Sequence, residues 1–146
     1  MSTRIKLWFH ERLIPDLAPL TVEAVRALCA ITFKTAHGYT KAEWALVDTG
    51  SPLSIIPRRV WQQCEVEMLK GYSIRGLVAK EDCVLPVTFG RITCCLIDEQ
   101  WATQDFCIDA DLADTDDVPI VLGFKDVLTA GVLHIDGRHK RGYLEF

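Results

Sequence analysis

The stretch Ala45-Leu46-Val47-Asp48-Thr49-Gly50-Ser51 decides how the rest of the chain is read. Apolar residues of strand character run directly into an aspartate, and the aspartate runs into a turn glycine. A carboxylate in that setting is held by backbone geometry and partly desolvated by its flanks, which suits it to acid–base chemistry. A second apolar run, Leu53-Ser54-Ile55-Ile56, follows the turn, and a third, Val118 to Gly123, leads into Phe124-Lys125-Asp126-Val127-Leu128.

Working outward, Pro15 and Pro19 mark the first twenty residues as an extended arm and not a helix. The next segment has short-helix spacing in its first half, and its β-branched and aromatic content predicts a strand from Ala27 to Lys34. Gly38 marks a hairpin turn into a strand from Ala42 to Val47. Downstream, Pro57 opens a short helix, and Trp61 is expected to anchor it. Further strands are expected at Glu67–Ile74, Cys83–Val87, Ile92–Ile97 and Phe106–Ile108, punctuated by Gly71, Gly76 and Gly90. Residues 124–131 read as a short helix ending at Gly131, and residues 132–146 as a terminal hairpin turning at Arg138–Arg141. The chain is thus expected to be one mostly-β domain, with an N-terminal arm over 1–26 and a core over 27–146.

Composition narrows the function. With 49% hydrophobic and 25% charged residues in 146, the chain can build a core. Sixteen basic against twenty acidic side chains argue against broad nucleic-acid binding. No run is long enough to span a membrane and the start lacks a signal-peptide layout, so a soluble, cytoplasmic protein is expected. Six cysteines without a CxxC pair read as reduced thiols, with Cys94 and Cys95 on opposite strand faces, and no metal or cofactor is expected. Asp98 to Asp117 carries eight acidic residues and no Lys or Arg, which reads as a solvated loop around a short strand. His10, His37, His134 and His139 are scattered without triad spacing, and Trp44 reads as core or interface filling.

The runs ALVDTGSPLSII, YSIRGLVA and VPIVLGFKDVL together resemble the retropepsin-like aspartic peptidases, the single-domain relatives of pepsin. The resemblance covers roughly Ala27 to Phe146, and the terminal hairpin resembles the cellular, ubiquitin-shuttle type more than the shorter viral tail. It implies a closed half-barrel with a flap hairpin and one short C-terminal helix, working as a homodimer on peptides with hydrophobic residues at the cut. Carried over by position, Asp48 is the catalytic acid, Thr49 bonds across the dimer axis, Gly50 allows the turn, and Ser51 donates to the carboxylate. Ile74, Gly76 and Leu77 fall at the flap, and Val118 and Ile120 at side-chain pockets.

Aspartic peptidases let two carboxylates share a proton, one activating water and the other protonating the oxyanion. This chain has one Asp-Thr-Gly, and Asp114-Thr115-Asp116 lacks the glycine, so an active site needs two copies of the chain. The terminal strand Tyr143–Phe146 is expected to offer a free β-edge to that dimer. Where viral enzymes carry acids after the motif and an arginine after the later glycine, this chain has Pro52, Leu53 and Phe124, so Pro52 and Phe124 are expected to meet as an apolar pair. That loss of substrate-gripping acids keeps a second reading open: a catalytically weak dimerisation or peptide-binding module.

Overall fold

A computed structural model describes residues 2–75 and 84–146. Among them the chain forms β1 (Arg4–Lys6), β2 (Trp8–Leu13), β3 (Glu23–Thr35), β4 (Gly38–Tyr39), β5 (Glu43–Val47), β6 (Ser54–Ile56), α1 (Arg58–Trp61), β7 (Glu67–Arg75), β8 (Val84–Ile97), β9 (Phe106–Ala113), β10 (Ile120–Leu122), β11 (Val132–Asp136) and β12 (Arg141–Glu145). The main sheet runs β2-β3-β5-β10-β6-β9-β8-β7, and β8 pairs again with β3. That last pairing, Ala30–Phe33 against Cys94–Ile97, closes the sheet into a ring.

Alternation along each strand fills the ring. Ile31 and Phe33 from β3, Ala45 from β5, Ile56 from β6, Leu96 from β8, Ile108 and Leu112 from β9, and Ile120 and Leu122 from β10 are each at most 1% exposed. Trp61 does anchor α1 to this body, its Nε1 donating to the Ala113 carbonyl at 2.8 Å. Among the described residues no helix is long and apolar enough to cross a membrane.

Several expectations change. The predicted arm is built into both sheets: β2 pairs along the first half of β3, and Ile5 and Leu7 are buried in the core. β3 therefore starts at Glu23, because pairing overrides the weak helical spacing of residues 21–28. The two strands expected around Gly90 are one, β8, since Gly90 lies inside the sheet and a Cβ there would sit 2.6 Å from the Glu67 carbonyl oxygen. β9 runs on to Ala113, and its last four residues are buried. The helix expected after Gly123 is a turn followed by one 3₁₀ turn, Leu128–Ala130. Asp126 stands at φ 66°, a left-handed conformation that breaks an α-helical run, while its Oδ2 accepts from the Asp109 N–H at 2.8 Å.

The second sheet, β1-β12-β11, revises the dimer-edge expectation. β12 is its central strand, so the C-terminal strand offers no free edge. Thr3 and Phe146 exchange backbone hydrogen bonds at 3.0 and 2.9 Å, and Leu144 is fully buried. Leu144→Ala is accordingly expected to destabilise the chain itself by about 2–5 kcal/mol. Thermal unfolding at two protein concentrations checks this, because the lowered Tm is expected at both.

Candidate active site

β5 delivers Asp48 to the outer face of the ring. Its Ala45 and Val47 pack inward, so Leu46 and then Asp48 point outward. The Asp48 N–H donates to the Leu122 carbonyl at 3.0 Å, extending the parallel β5–β10 pairing by one residue and fixing where the carboxylate emerges. Asp48 is exposed. Its Oδ1 accepts from the Gly50 N–H at 2.8 Å, and the Ser51 N–H donates back to the Asp48 carbonyl at 3.2 Å, which closes the turn.

Ser51 is placed differently from the expectation. Its hydroxyl donates to the Leu53 carbonyl at 2.6 Å and not to the Asp48 carboxylate, because the turn already supplies the Gly50 N–H. Thr49 is exposed beside Asp48.

The turn is clamped from the other side by the residues around Gly123. The Phe124 N–H donates to the Ser51 carbonyl at 2.9 Å, and the Lys125 N–H to the Pro52 carbonyl at 3.0 Å. Inside the ring, buried Ser54 accepts the Gly123 N–H at 3.1 Å. Pro52 and Phe124 are thus brought onto adjoining backbone, and Phe124 is 44% exposed. Ser54 and Gly123 were not singled out as site residues, although the flanking apolar runs were.

Strand register gathers the outward-facing residues. Leu46 is level with Val121, Val121 with Ile55, Ile55 with Asp111, and Asp111 with Phe89. Paired residues share a face, so this row lies on the Asp48 side of the sheet. Ile120 was expected at a pocket, but its side chain is in the core, and Val121 occupies the outer face in its place. Val118 is half-buried just before β10. Ile74 is half-buried on β7, on the same strand face as Tyr72, whose hydroxyl bonds Asp111. Gly76 and Leu77 lie outside the described residues.

The remaining candidates have structural roles. The described cysteines are unbridged, Cys94 and Cys95 are both buried, and burial pushes the Cys29 thiol up to about 12. Trp44 is 53% exposed and meets Trp8 edge-on, so it is not core. His139 bonds Asp136, and His134 stacks on Tyr143. Asp114-Thr115-Asp116 ties down α1: Asp114 pairs with Arg58, and Asp116 accepts the Arg59 N–H.

This arrangement matches a solved structure, the crystal structure of a retropepsin-like aspartic protease from Rickettsia conorii, over 100% of this chain and 93% of that one. The TM-score is 0.54 at 13% sequence identity. The fold is retropepsin-like. No family model matches the sequence, and no curated protein was found to be similar to it. In the terms of that fold, the chain presents one exposed aspartate at a strand end, backed by a glycine clamp and flanked by an apolar row.

Proposed function

We propose that the chain is an aspartic endopeptidase that works as a homodimer, with one Asp48 from each copy. The observation that carries this is the exposed Asp48 carboxylate, held by the Gly50 N–H at the end of a strand in a retropepsin-like fold. One carboxylate takes the proton of the attacking water while the other protonates the oxyanion of the peptide carbonyl. Thr49 stands beside Asp48, where it faces the second copy. Leu46, Ile55 and Val121 form an apolar floor for substrate side chains, with Val118 at its margin and Ile74 above it, and a preference for hydrophobic residues at the cut follows. Flap roles for Gly76 and Leu77 belong to the same proposal. The terminal hairpin supports the cellular type of this fold over the shorter viral one.

The test is cleavage of a peptide library by the full chain, with sedimentation of the same sample. Cleavage by a dimer is the expected result, and a fully active monomer overturns the two-copy reading. Ser51→Ala is expected to leave kcat/KM in place, since the hydroxyl serves the Leu53 carbonyl and not the Asp48 carboxylate. It is expected to lower stability by about 1 kcal/mol, read from thermal unfolding.

A further inference from the structure

The eight acids between Asp98 and Asp117 are not alike. Asp98 accepts three backbone N–H groups, from Lys6, Gln100 and Trp101. Asp105 holds Tyr39 and Lys34, and Asp109 lies between Arg91 and Lys125. Asp114 and Asp116 hold α1, while Glu99 and Asp117 are exposed. Asp111 is 3% exposed, and its partner among the described residues is the hydroxyl of Tyr72, a neutral donor to Oδ1.

Its position makes this unusual. Asp109 and Asp111 are two residues apart on one strand, yet among the described residues two cations serve the first and none the second. Asp111 lies in the row with Leu46, Val121 and Ile55, three strands from β5 and so about 14 Å from Leu46. Burial pushes its carboxyl above the usual range, and the Tyr72 bond opposes that only in part. A buried carboxylate without a cation is costly, and a stability role is met more cheaply by an apolar residue.

We infer that Asp111 is a specificity-determining residue that receives a basic side chain of the peptide substrate, lysine or arginine, at the far end of the apolar row. The inference rests on the proposed peptidase reading for the identity of the ligand. Tyr72 covers the carboxylate, since the residue is 39% exposed on β7 while its hydroxyl reaches Asp111. A seated ammonium or guanidinium supplies the missing counter-charge, and a charge-assisted hydrogen bond replaces a neutral one.

The experiment uses the full chain carrying Asp48→Asn, so that binding is read without turnover. Fluorescent apolar decapeptides, each with lysine or norleucine at one scanned position, are titrated by anisotropy. The expected result is one position at which lysine binds about tenfold tighter, about 1.4 kcal/mol. Adding Asp111→Asn, which keeps an acceptor for Tyr72, is expected to erase that preference and leave the norleucine peptide unchanged. Tyr72→Phe is expected to keep the preference. No lysine-preferring position, or equal weakening of both peptides by Asp111→Asn, overturns the inference. Cleavage by the wild type is scored separately, so a chain that selects lysine and cuts nothing defeats the catalytic reading alone.

Discussion

Asp48→Asn is expected to lower kcat/KM by about a thousandfold or more on any peptide the wild type cleaves, with fold and dimerisation intact. Asparagine has nearly the same shape as aspartate, and its side-chain oxygen still accepts the Gly50 N–H. The position is exposed, so the exchange leaves no buried group unpaired and the cost to stability is small. What disappears, on the proposed mechanism, is the group that takes a proton from water, and a dimer of this variant would have neither carboxylate of the pair. Kinetics beside sedimentation and thermal unfolding separate the effects. Undiminished turnover would falsify the carboxylate mechanism.

The strand and turn of residues 45–51 were legible because their signal is local, strand propensity ending at an acid and a turn glycine; the exposure of the Asp48 carboxylate was not, since its apolar flanks suggested partial desolvation. The strands of the terminal hairpin were legible for the same reason, and its placement was not. Nothing in residues 141–145 says that β1, from the other end of the chain, pairs with them and makes them central. The run Val118 to Leu122 shows the limit inside the site. Ile120, Val121 and Leu122 are all apolar and all buried, so alternation cannot be read from the residues, and only pairing with Leu46 and Ile55 shows that Val121 faces outward. Ser51 failed as a carboxylate donor because two acceptors lay within its reach, and sequence does not rank the Leu53 carbonyl against Asp48. Asp111 sat unremarked in an acidic stretch, because the cations that set Asp109 apart from it come from β8 and the turn after Gly123.

Gly123→Ala is expected to damage stability and activity together. A Cβ at Gly123 would lie 2.4 Å from the Leu53 carbonyl oxygen, 2.6 Å from that of Ser51 and 2.7 Å from the Leu53 carbonyl carbon. All three are backbone atoms, so no side-chain rotation relieves the contact, and the chain carrying Asp48 must move. That movement stretches the bonds from Phe124 and Lys125 to the turn and from the Gly123 N–H to Ser54. Overpacking of this kind costs about 1–3 kcal/mol, and in a chain of this size each kcal/mol lowers Tm by roughly 2–4 °C. A shift of about 1 Å in the carboxylate is expected to lower kcat/KM by about a hundredfold, because two carboxylates must share one proton and one water. Gly71→Ala is the control: a Cβ there meets nothing within 4 Å, so a change of no more than about 1 kcal/mol and normal turnover are expected. Thermal unfolding and kcat/KM for both variants decide it. If Gly123→Ala matches Gly71→Ala in both measurements, the close approach of the two loops is not what holds Asp48 in place.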